Sequence, residues 1–292
     1  MARRTTQRAS AGASLSSLAV SSSAARDDWT ARDVVFWVAL GVALSASWAE
    51  LATHWAAEPW ARPSAFFLPL AVAAALREPW RREPRPLPGG LLIAAGLAAT
   101  LLAIGGGLAR AGRPGIPVAC IGMALALGRP SLPVAMIVLW AIPPPYALAK
   151  ALAPGLEHLL GELAAGAARA AGLSATLGPA ALAMHGAELP LAPTDGGLPA
   201  VFYLAGIGWW SAVRGGCDAR RAIRAALRMA PFGLAAQSLC LALAFALLAA
   251  RSPGPARALL DASPGLAIAA ALLWVWRSRP ALESERAAQG RP

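Results

Sequence analysis

Apolar residues in this chain come in unbroken runs rather than alternations, and the runs are long enough, or nearly long enough, to cross a bilayer. Between them lie short loops rich in arginine and proline. Read in order, the pattern predicts eight membrane-spanning helices: Val34 to Ala52, Pro59 to Leu76, Gly89 to Gly107, Gly115 to Gly128, Leu132 to Leu148, Gly197 to Val213, Met229 to Ala250 and Pro264 to Trp276. The fifth is interrupted by Ile142-Pro143-Pro144-Pro145-Tyr146, where consecutive prolines remove backbone donors and break the helix.

Ala149 to Gly196 is the longest stretch with no span. Leu156, Leu159, Leu160, Leu163 and Ala167 recur there at helical spacing, with Glu157, His158, Glu162 and Arg169 opposite, which predicts an interfacial helix on the outer leaflet. Residues 175–191, punctuated by Gly178, Pro179, Gly186 and Pro190, read as an extended excursion with room for a short hairpin. The chain then reaches Pro193-Thr194-Asp195-Gly196-Gly197, a sharp polar turn at the mouth of the sixth span. Thr194 and Asp195 stand where helix N-caps stand, and they also bring a hydroxyl and a carboxylate to that mouth.

Composition agrees with a membrane protein: 57% of the residues are hydrophobic and 14% charged, against about 25% charged in soluble domains. The fold class expected is therefore an all-α integral membrane protein. It has a basic tail at residues 1–33, a transmembrane domain at 34–276 and a second basic tail at 277–292. The net charge of +11 does not imply a nucleic-acid partner, because the basic residues sit in loops between apolar runs. With both termini inside, 19 of the 26 Lys and Arg residues fall on the cytoplasmic side and 7 outside, the bias expected of a multi-pass inner-membrane protein. Tryptophans near segment ends, such as Trp48, Trp55, Trp60, Trp209, Trp210, Trp274 and Trp276, suggest an interfacial belt.

Cys120, Cys217 and Cys240 show no metal-ligand spacing, and neither a metal site nor a cofactor is indicated. In this topology His54, His158, His185, Glu157, Glu162, Glu188, Asp195 and Asp261 gather on the outer side, where water permits polar residues in any case. The span interiors lack Lys and Arg, which argues against an ion-coupled transporter. Gln237, inside the seventh span, needs a partner across the bundle.

The order of features after Trp48 resembles the exosortase and archaeosortase family of multi-pass membrane transpeptidases. The shared features are a proline-interrupted helix, an outer amphipathic segment ending near Gly172, a short extended excursion, a turn with Gly197-Leu198 entering a helix, a basic loop and two further helices. The resemblance implies a partner, the C-terminal sorting helix of exported proteins, and a cysteine nucleophile assisted by an arginine and a histidine. Aligned on Gly197-Leu198, the nucleophile position is Asp195, the Asn-x-x-Arg positions are Gln237 and Cys240, and the histidine position falls near Asp261. None of the three expected residues is present.

An aspartate nucleophile acting on a peptide would give a hydrolysis-prone mixed anhydride, so cysteine-type transpeptidation does not transfer to Asp195. Thr194 could attack only with a base such as His185 beside it. No positive group is evident to hold an oxyanion. Three readings follow: a recogniser of sorting tails that does not cut them, a variant enzyme using Thr194 or Asp195, and a small-molecule or lipid transporter built as a proline-broken bundle.

Overall fold

The computed structural model describes residues 29–277 apart from 79–81, 145, 178–180, 185–186, 193–194 and 196. The two expected tails, Thr194 and His185 therefore lie almost wholly or entirely outside the described residues. Eleven α-helices and a three-stranded sheet are present among the described residues.

Residues Ala31–Ala43 (α1) start from a reciprocal cap, in which Thr30 Oγ1 accepts from Asp33 N–H and the Asp33 carboxylate accepts from Thr30 N–H. The expected first span, Val34 to Ala52, is a pair of helices bent by 67°, the second of which, Ser45–Ala57 (α2), begins after Leu44. The bend lets Leu40, Leu44 and Leu51 enter one cluster with Ile116, Cys120 and Met123. A 3₁₀ turn at Arg62–Phe66 leads into Phe67–Arg77 (α3).

Pro86–Gly105 (α4) and Gly115–Leu127 (α5) form a hairpin whose backbones touch. A Cβ on Gly96 would lie 2.6 Å from Gly115 O, and one on Gly122 would lie 2.7 Å from Gly89 O. Small residues on both faces allow this approach, as in packed membrane helices. The proline-broken segment is two single turns, Leu132–Ala135 (α6) and Val138–Ala141 (α7), and the chain is extended at Ile142.

Tyr146–Ala170 (α8) is the expected amphipathic helix, but its buried face differs. Leu160, Ala164, Ala165 and Ala168 pack inward, whereas Leu159 and Leu163 are exposed. Alongside Leu160, alanines make this contact and let α8 lie close against a neighbouring helix. The excursion is a meander of Ala175–Leu177 (β1), Ala181–Met184 (β2) and Ala187–Pro190 (β3), antiparallel throughout, with Ala175 opposite Met184 and Ala181 opposite Pro190. The fold is thus helical with a small sheet, not all-α.

Leu198–Arg214 (α9) and Ala219–Ala249 (α10) pack backbone to backbone, since a Cβ on Gly233 would lie 2.5 Å from Val201 Cα. The expected basic loop is mostly helix: Asp218 caps α10 by accepting from Arg221 N–H, and Arg220, Arg221, Arg224 and Arg228 ride its first turns. Pro253–Arg277 (α11) likewise begins earlier than expected and carries Arg257 and Asp261 within it.

Three helices are individually long and apolar enough to cross a membrane, namely α4, α10 and α11 from Pro253 to Val275, and the bent pair α1–α2 would make a fourth. On α4, Leu87, Leu91, Leu101 and Leu102 are 65 to 76% exposed. Such continuous bare apolar surface marks a membrane protein. The other apolar segments, α3, α5, α9 and the α6–α7 pair, are 17 residues or shorter. Trp209 departs from the expected belt. It is buried and donates its indole N–H to Pro133 O at 2.9 Å, tying α9 to α6.

Candidate functional site

Pro264 sits inside α11 and has no N–H, so the carbonyl of Leu260 loses its helical donor. Ser263 stands in: its Oγ lies 2.8 Å from Leu260 O and 2.8 Å from Gln237 Oε1, so its proton serves a local need and reaches across to α10. With its oxygen so engaged, Gln237 turns its amide nitrogen outward and donates to Asp195 O at 2.9 Å. The buried amide of α10 thus has partners on both sides.

The polar turn is held from the other direction as well. Gly197, at φ +82°, takes the left-handed conformation that starts α9, and a Cβ there would press on Leu160 Cδ1 at 2.9 Å. Asp195 is not an N-cap: Gly197 occupies that position, and the Asp195 carboxylate folds back to accept from Ala192 N–H at 2.8 Å. Arg257 meets the same carboxylate, Nη1 to Oδ2 at 2.7 Å and Nη2 to Oδ1 at 3.4 Å, and its Nη2 also donates to Asp261 Oδ1 at 2.6 Å. One guanidinium therefore joins two carboxylates, with Asp261 one helical turn beyond Arg257. The Asp195 side chain is 5% exposed. Burial pushes its carboxyl above the ordinary range, outweighing the opposing pull of Ala192 N–H and Arg257.

This network lines a cavity of about 320 Å³ that is also lined by residues from the N-terminal half of the chain, His54, Glu58, Trp60 and Arg110, beside Asp195, Arg257 and Asp261. Trp60 is anchored by Tyr203 on α9, whose hydroxyl donates to Trp60 O at 2.9 Å and pairs with Ser64 Oγ at 2.8 Å. Since Tyr203 gives its only proton to Trp60, Ser64 must donate to it. The His54 ring stands edge-on to Trp60, centroids 5.5 Å apart.

Of the residues singled out from sequence, Asp195, Gln237 and Asp261 converge here, Gln237 through the backbone of the turn. Cys240 does not: it is buried among apolar neighbours in the cluster of Leu160, Leu241 and Phe245. His158 is exposed on α8, away from the cavity lining. Two expectations are corrected by Arg257. A positive group does stand at the turn, and the last candidate span does contain ionisable residues. The four-residue spacing of Arg257 and Asp261 was the available signal. It was hidden because Pro253, Pro255 and Pro264 made 253–264 read as loop.

No family model, no curated protein and no solved structure matches the chain. What this cavity can do is therefore set by its own groups. Glu58 and Asp261 offer acceptors, Arg110 and Arg257 offer donors, and among the described lining residues no hydroxyl or thiol is placed for attack.

Proposed function

We propose that the chain is an exosortase-like protein of the cytoplasmic membrane, crossing it eight times with both termini inside, that recognises the C-terminal sorting segment of exported proteins without cleaving it. The observation that carries this reading is the state of Asp195 at the nucleophile position: both its carboxylate oxygens are engaged, by Arg257 and by Ala192 N–H. A group so held is a structural anchor, not an attacking one. The mixed donors and acceptors of the cavity suit the exposed backbone and polar side chains of an extended peptide. The exposed leucines of α8 supply the apolar face that an outer interfacial helix lays on lipid.

The test is co-purification from membranes of a tagged reporter ending in a proline-rich motif, an apolar helix and an arginine cluster. Retention by the wild type and its loss in a Glu58→Gln, Arg110→Ala double variant are expected. Absence of retention by the wild type would sink the reading. One observation favours a second reading, a small-molecule transporter: Arg257 and Asp261 lie within a candidate span, beside a cavity, as substrate-path residues do. Failure of the reporter to bind would leave that reading standing.

A further inference from the structure

The opposite end of α9 carries a second, larger cavity that owes nothing to the site above. Seventeen residues of helix, about 25 Å, separate the polar turn from Arg214. There a cavity of about 570 Å³ opens between the end of α3, the segment at Arg82, the entry to α6 and the turn after α9. Among the described lining residues are the guanidinium groups of Arg77, Arg82 and Arg214 and one carboxylate, Glu78. That carboxylate accepts from Ser131 N–H at 2.6 Å. Arg77 and Arg82 enter none of the ion pairs among the described residues. Arg214 lies over the Trp210 ring, 5.6 Å from its centroid.

The walls are fixed by bonds between elements. Arg82 N–H donates to Gly128 O at 2.9 Å, Arg85 N–H to Leu125 O at 2.8 Å, and Trp209 holds Pro133. Gly128, at φ +69°, lets the Arg82 backbone pass against it, and no Cβ would fit there. Arg77 and Arg82, both exposed and outside those ion pairs, bring positive charge to the rim of a cavity of ligand size, where it attracts an anion. Forked guanidinium donors match the oxygens of phosphate.

We propose that this cavity binds a phosphate-bearing anion, either the headgroup of an anionic lipid or a soluble phosphate ester. Cys217, a free and partly exposed thiol in the lining, reports occupancy.

The experiment follows alkylation of Cys217 in the full-length purified chain by peptide mass. Sodium phosphate is compared with sodium chloride at equal ionic strength in neutral detergent. Separately, nanodiscs of phosphatidylcholine are compared with nanodiscs that also contain phosphatidylglycerol. Rates are expressed as the ratio with and without anion within each variant, so an altered thiol reactivity cancels. Occupancy of about 90% slows alkylation about tenfold, which is the expected effect.

Protection by phosphate in detergent supports a soluble ester, and protection by phosphatidylglycerol alone supports a lipid headgroup. In Arg77→Gln, Arg82→Gln the protection should vanish, while Arg77→Lys, Arg82→Lys keeps the charge and should retain part of it. No protection by either anion, or equal protection in the glutamine variant with an unchanged elution profile, would overturn the proposal.

Discussion

Removing the Gln237 amide should loosen the turn more than its size suggests. Gln237→Leu leaves Asp195 O without its donor and returns the Ser263 proton to Leu260 alone. An unmet buried polar group costs about 1–3 kcal/mol, so a clear fall in thermal midpoint in detergent is expected. Ser263→Ala leaves Gln237 Oε1 and Leu260 O without their donor, so a comparable fall is expected although Gln237 keeps its bond to the turn.

Asp195 gives a pH signature. Its folded-state pKa lies above the ordinary value because of burial, so the native state holds that proton more tightly than the unfolded chain does. Its contribution therefore favours folding below the ordinary carboxylate range and is lost as pH rises through the folded pKa. The midpoint of the wild type minus that of Asp195→Asn should decline as pH rises through the ordinary carboxylate range and on through the raised folded-state pKa. In an Arg257→Ala background the decline should move to higher pH, since the cation opposing the shift is gone. A flat difference would mean that Asp195 titrates as it does in the unfolded chain.

At this scale the sequence pointed to Asp195, Gln237 and Asp261 but not to what joins them. Arg257 looked like one more loop arginine, and Cys240 was carried along by a motif position although its helix turns it into an apolar cluster.

Among elements, the close packing of α4 on α5 and of α9 on α10 depends on glycines with no room for a side chain. Gly233→Val would drive carbon into the Val201 backbone, and overpacking of this kind costs about 1–3 kcal/mol or more. Loss of the folded, monodisperse fraction is expected on size exclusion. Gly90→Ala is the control: it lies on the same kind of helix with nothing within 4 Å of the added carbon, so it should be neutral or slightly stabilising. Helix positions were legible in the runs of apolar residues, but their ends were not. Charged first turns on α10 and prolines in α11 read as loop because local composition hides a capped or serine-bridged helix. The buried face of α8 was misread because alanine, abundant on every face, carries the contact.

Across the whole molecule, arginines gather at one end of α9 and the carboxylate-bearing cavity at the other. In the topology proposed above, the arginine end faces the cytoplasm. Cys217 should then react with a membrane-impermeant maleimide in inside-out vesicles, and a cysteine introduced by Glu58→Cys should react only in right-side-out ones. Labelling of both from one side would invert or abolish that topology.

The most direct test of the site concerns what happens to a bound tail. A reporter with a sorting-type C-terminus would be co-expressed with the wild-type chain, with Asp195→Ala and with an empty vector, and its intact mass determined from membranes. A carboxylate locked by Arg257 and Ala192 should leave the reporter at full mass in all three. A shortened reporter that appears with the wild type and disappears with Asp195→Ala would contradict the non-cleaving reading and make Asp195 part of a catalytic site.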